Sequence, residues 1–103
     1  MSATRFTRLV EIPDDLADGT VAPERGRVML PRRLAWSGQG EFDLDDRRDR
    51  MYVYQLVMTE GTSDDVRRYI DLRLLVEMWH EMWLSPHVRE RWDRWLRDRE
   101  LIA

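Results

Sequence analysis

Glycine and proline are so unevenly distributed along this chain that its two parts cannot share one kind of backbone. Four of the five Gly and three of the four Pro fall in residues 1–45, at Pro13, Gly19, Pro23, Gly26, Pro31, Gly38 and Gly40. No long helix survives that punctuation. Two pieces, Arg5 to Ile12 and Arg27 to Leu34, carry apolar residues in an extended style suited to pairing, with Pro31 holding the second at a sheet edge. Asp14 to Gly26 reads as loop. The sequence therefore predicts an irregular or slightly β N-terminal arm over residues 1–45, ordered against some other surface, and a helical domain over 46–103 where only Gly61 and Pro86 interrupt. The fold class is mainly α, one structural domain with a small four-helix C-terminal part.

Helix boundaries follow from residue chemistry. Asp46 to Thr59 opens with acidic residues that suit the positive helix N-terminus and stops at Gly61. Its centre, Met51 to Met58, is apolar except for Gln55, so a buried strand is the competing reading; the flanking caps and the length favour helix. Thr62 or Ser63 followed by Asp64 and Asp65 starts a short second helix ending near Asp71, with Val66, Tyr69 and Ile70 on one face. Asp71 caps a third helix over Leu72 to Leu84, whose only polar stripe is Arg73, Glu77, His80 and Glu81. So narrow a stripe predicts a central, mostly enclosed element. Ser85 with Pro86 at the first helical position starts a fourth helix reaching Arg99, which shows Val88, Trp92, Trp95 and Leu96 on one face. Leu75, Met78, Trp79, Trp92 and Leu96 are the expected core.

Composition narrows the function classes. At 103 residues with 17 basic and 20 acidic side chains, the net charge of −3 argues against a chain that coats nucleic acid or anionic lipid. All basic residues are Arg, a trait that most simply reflects GC-rich coding, and with five Trp available Arg–Trp stacking becomes a local theme. Absence of Cys removes disulfides, thiol nucleophiles and thiolate metal sites together. Neither a signal-peptide core nor a run of 18 apolar residues is present, so the expected location is the cytoplasm, without membrane or cofactor.

Candidate chemical sites mostly dissolve on inspection. Glu77, His80 and Glu81 imitate metal motifs, but the second His or the further inward carboxylates are missing. Asp43, Asp45, Asp46 and Asp49 cluster without calcium-loop spacing and read as a loop leading into an acidic helix start. Ser37, Ser63 and Ser85 lack a nucleophile context. A helix-turn-helix reading of the second and third helices, as a DNA-binding regulator, needs a basic exposed stripe that the third helix lacks, and the Arg of the fourth are balanced by acids. What remains is aromatic density. Trp83 and Trp95, with Trp36 and Phe42 in the arm, are the candidate partner-binding anchors, on a surface suited to a protein partner or a second copy of the chain.

Several pieces between Leu30 and Trp92 resemble a group of short actinobacterial proteins associated with genes for AbiEii-type nucleotidyltransferase toxins. They are Leu30-Pro31, Leu34 to Gly38, Phe42-Asp43-Leu44, Arg50 with Tyr52, Glu60-Gly61-Thr62, Asp64 to Ile70, Leu74-Leu75, Trp79, and Pro86 to Arg89. The Glu-Gly-Thr and Asp-Asp-Val-Arg-Arg portions are the most specific. Trp83, Trp95 and the first 27 residues fall outside the pattern. The resemblance implies a non-enzymatic antitoxin or accessory partner of a nucleotidyltransferase, and it assigns no catalytic residue.

Overall fold

The structure, a computed structural model, describes residues 10–16, 22–35 and 38–103. Helix α1 spans Arg47–Glu60 because the Asp46 side chain accepts from the amides of Arg48 and Asp49 and so satisfies two of the free N–H groups of its first turn. The ambiguous apolar run Met51 to Met58 is thus helical, and it buries Val53, Tyr54, Val57 and Met58. Gly61 ends the helix for a reason other than a left-handed turn. Its backbone is extended, and a Cβ there would lie 2.6 Å from the Val57 carbonyl oxygen.

Helix α2, Ser63–Tyr69, starts from a reciprocal capping box in which Asp65 replaces the usual Glu. The Thr62 hydroxyl accepts from the Asp65 amide, and the Asp65 carboxylate accepts from the Thr62 amide at 2.8 Å. Helix α3, Leu72–Met78, is capped by Asp71, whose side chain accepts from the Leu74 amide. The Asp71 amide donates to the buried Tyr54 hydroxyl at 2.9 Å, tying α3 to α1, and burial pushes the Tyr54 phenol up to about 12.

Helix α3 is half the length that the sequence predicts. Beyond Met78 the chain tightens into turns, and the Arg89 guanidinium of the last helix donates to the carbonyls of Trp79 and Met82. These long-range bonds replace the intrahelical partners those carbonyls would otherwise need. Helix α4, Pro86–Asp98, begins with Pro86 as expected, but the Ser85 hydroxyl makes no capping bond. The ring, with its preset φ, makes the start. The far end carries a Schellman arrangement: the Leu101 amide donates to Leu96 O at 3.0 Å and the Glu100 amide to Arg97 O at 2.9 Å, with Glu100 at φ +57°.

Among the described residues the β content is one antiparallel ribbon, β1 (Arg27–Met29) on β2 (Glu41–Asp43), with Val28 opposite Phe42. Gly26 enters β1 at φ +84°, a conformation open to glycine at little cost. The second extended piece pairs with residues 41–43; of the first, Arg5 to Ile12, residues 5–9 lie outside the described residues and 10–12 form no strand. Helix α1 packs against both β2 and α2. A continuous core unites both parts of the chain: Ile12, Leu16, Val28, Leu30, Leu34, Phe42 and Leu44 join Leu75, Met78, Trp79, Trp92 and Leu96. The surface against which the N-terminal part orders is thus the chain's own helices.

Candidate protein-interaction surface

Twenty-six apolar residues are buried among those described, and only Met29, Tyr52 and Trp83 remain as large exposed hydrophobics. Of the three expected anchors that the structure describes, Trp83 alone lies on the surface, 73% exposed. Phe42 is 2% exposed, faces Val28 across the ribbon, and meets the Tyr52 ring at 5.5 Å between centroids. Trp95 is 5% exposed; the Trp92 ring lies edge-on to it at 5.9 Å and the Arg99 guanidinium covers it at 4.1 Å. Both are core residues, because one inward strand position and one inward helix face claim them. Trp36 lies outside the described residues.

Exposure of Trp83 follows from how its neighbours are held. Met82 and Leu84 are buried on either side, so the indole between them is turned outward. Arg89 grips this segment by donating to Met82 O and to Trp79 O at 3.4 Å while stacking 4.5 Å above the Trp79 ring. At the preceding position Glu81 pairs with Arg47 of α1 at 2.8 Å. An exposed aromatic on a backbone fixed from both sides loses little conformational freedom when a partner covers it. Nearby, the two stacked pairs, Arg89 on Trp79 and Arg99 on Trp95, fulfil the Arg–Trp theme.

A second feature was invisible in sequence. Arg33, on the turn after β1, forms a two-pronged ion pair with Asp65 of α2, both N···O distances 2.6 Å. The Arg33 guanidinium, with help from the Thr62 amide and hydroxyl and against the effect of burial, holds the Asp65 carboxyl down at about 2. Beside this pair opens a cleft of about 450 Å³ whose lining includes Met29, Leu30, Pro31, Arg68 and Tyr69. The signal for Asp65 existed locally in its capping position, but nothing near Arg33 announces a partner 32 residues away.

The remaining sequence candidates have structural duties. Asp46 caps α1, Asp43 accepts from the Asp45 amide, Asp45 from the Gly26 amide and Asp49 from the Asp43 amide. Among the described residues, no group of three His, Asp or Glu is arranged to hold a metal ion. Glu77 is exposed on α3 and His80 on the turn beyond it, and Arg73 of α3 pairs with Glu24. On α4, Arg94 pairs with Glu90 and Arg97 with Asp93, so neither helix offers an unopposed basic face to DNA. Leu72 and Val76 of α3 are only half-buried and share a shallow apolar groove with Leu101. No helix among the described residues is long and apolar enough to cross a membrane. No family model, no curated protein and no solved structure matches this chain.

Proposed function

We propose that this chain is a non-enzymatic protein-interaction module, with Trp83 as the anchor that fills a pocket on its partner. The observation that carries this reading is the Trp83 side chain, 73% exposed on a backbone clamped by Arg89 and by the Arg47–Glu81 pair. Leaving an indole in water while burying every other Trp that the structure describes is costly for a small domain, and such rigid, exposed aromatics are the residues that dominate protein interfaces. The class of partner comes from the resemblance of the Glu60-Gly61-Thr62 and Asp64 to Ile70 segments: an AbiEii-type nucleotidyltransferase toxin, which the module binds as an antitoxin or accessory subunit, in the cytoplasm.

Co-expression with an AbiEii-type nucleotidyltransferase from the same genome tests both parts. The proposal expects a complex that relieves toxicity, and Trp83→Ala should weaken it by about 2 kcal/mol or more while leaving the melting temperature unchanged. Absence of a complex would overturn the partner; full affinity in the Trp83→Ala variant would overturn the anchor.

A further inference from the structure

The two edges of the β ribbon are not equivalent. Leu30 donates to Gly40 O and Leu44 to Gly26 O, both at 2.8 Å, which places the bonded pairs of the ladder at 26/44, 28/42 and 30/40. By the alternation of an antiparallel pair, the amides and carbonyls of Asp43 and Glu41 then point out from β2, and those of Arg27 and Met29 point out from β1. On β2 the outward Asp43 amide is already taken by the Asp49 carboxylate of α1, at 3.0 Å. On β1 the outward groups have no partner among the described residues. Met29, between them, is 64% exposed.

An open edge needs an occupant, and the surroundings of this one specify its chemistry. The cleft of about 450 Å³ runs from Met29 and Leu30 to Tyr69 and Arg68 of α2, and no residue of β2 lines it, so it continues the open side of β1. Its acids are spoken for: Asp65 by Arg33, and Asp64 by Arg67 at 2.8 Å. Its bases are not. Arg68 has no ion-pair partner among the described residues, nor has Arg32, which precedes Arg33 and lines a neighbouring groove that also includes Met29 and Leu30, and the Arg33 side chain is 57% exposed despite its pair. On a chain of net charge −3, two Arg side chains without ion-pair partners among the described residues thus stand beside unpaired backbone.

We propose that β1 receives an extended acidic segment of another protein as a third antiparallel or parallel strand, its main chain bonded to Arg27 and Met29 and its carboxylates drawn to Arg33 and Arg68. Strand addition supplies affinity through the backbone, and the flanking Arg residues supply the preference for acids. The site is separate from Trp83 and does not depend on the function proposed for that residue.

Three acetylated peptides test this on the full chain at low salt: Thr-Glu-Val-Glu-Thr-Glu, the same peptide with Arg for each Glu, and the acidic peptide with alternate amides N-methylated. The acidic peptide should bind at least tenfold more tightly than either other and should slow hydrogen exchange at the Arg27 and Met29 amides. Met29→Pro removes only an outward N–H and leaves the bonds to β2, so it should keep its melting temperature and lose at least tenfold in affinity. Arg68→Glu, remote from the ladder, should lose a similar factor, and Trp83→Ala should lose none. No binding at millimolar peptide, equal binding of the Arg or N-methylated peptide, or unchanged affinity in Arg68→Glu would each overturn the proposal. So would a dimer of the chain that Met29→Pro dissolves, since the edge would then belong to a second copy.

Discussion

Residues 46–103 and the described residues before them are held by different kinds of interaction. In the helical part the bonds that fix each element are local: Asp46, Thr62 and Asp71 cap helices two or three residues away, and Glu90–Arg94 and Asp93–Arg97 brace a single helix face. In the described N-terminal part the local bonds close turns, such as Leu16 on Pro13 O and Leu34 and Ala35 on Pro31 O, and build no α-helix. That part is tied instead to α2 and α3 by partners far along the chain: Glu11 accepts from the Ser63 amide, Asp15 pairs with Arg67, Glu24 with Arg73, and Arg33 with Asp65. Beneath these clasps Ile12, Leu16, Leu30 and Leu34 enter the common core. A segment poor in regular structure can therefore be as integral as a helix, provided that its contacts are distributed over elements that are themselves well capped.

If both parts share one core, removing a core side chain from either should cost the same. Leu34→Ala, in the N-terminal part, and Leu75→Ala, in α3, each replace a leucine that is essentially fully buried, and each should lower unfolding free energy by roughly 2 to 5 kcal/mol in urea titrations. Trp92→Ala, which empties the largest volume, should cost roughly 3 to 5 kcal/mol. A Leu34→Ala variant as stable as the wild type would break the comparison. It would make the N-terminal part an appendage, as its Gly and Pro content alone leads one to expect.

The clasp between the two parts gives a pH signature of the next size. Asp65 titrates at about 2 in the folded chain, against a usual value of 3.8. A depressed carboxyl contributes stability that is fully present above the unfolded value and is lost as pH falls towards the folded one, so the contribution should fade between about pH 5 and pH 2. Its size is about 2 kcal/mol, from 1.36 kcal/mol per pH unit. Arg33 is more than half exposed and regains water when its partner is protonated, so the loss should not reach the larger cost of stranding a buried charge. Urea midpoints of wild type and Asp65→Asn should converge as pH falls from 5 to 2; parallel curves would show that the pair contributes nothing.

Much of the helical part is legible in sequence because its determinants lie within one turn of the elements they control. Asp46, the Thr62–Asp65 box, Asp71 and Pro86 mark four helix starts to within a residue. Legibility fails where the determinant is distant. The early end of α3 depends on Arg89 reaching back to Trp79 and Met82, and the ribbon partner of Arg27–Met29 is chosen by the inward Phe42 and Leu44, not by any pattern around Arg5. The anchor residues divide in the same way. Aromatic identity alone does not separate Trp83 from Trp95 or Phe42, because what exposes Trp83 is the burial of Met82 and Leu84 against the rest of the fold.

The end of α4 supplies the smallest effect and the most local one. Glu100 occupies the left-handed position at φ +57°, where glycine is the usual residue, and no glycine is present to signal it in sequence. Glu100→Gly should stabilise the protein by about 0.5 to 1 kcal/mol, read as a modest rise in melting temperature. A fall would mean that the Glu100 side chain contributes more than its backbone strain costs.

Native-state hydrogen exchange tests most directly whether the N-terminal part belongs to the same cooperative unit as the helices. The Leu30 and Leu44 amides, which close the ribbon on Gly40 and Gly26, can be compared with the Leu75 amide, which closes the first turn of α3 on Asp71. If one core unites the chain, all three should exchange only through global unfolding, with opening free energies within about 1 kcal/mol of one another and the same dependence on denaturant. Exchange of Leu30 and Leu44 through a cheaper, denaturant-insensitive opening, while Leu75 stays protected to the global limit, would contradict this and divide the molecule into a helical core with a separable arm.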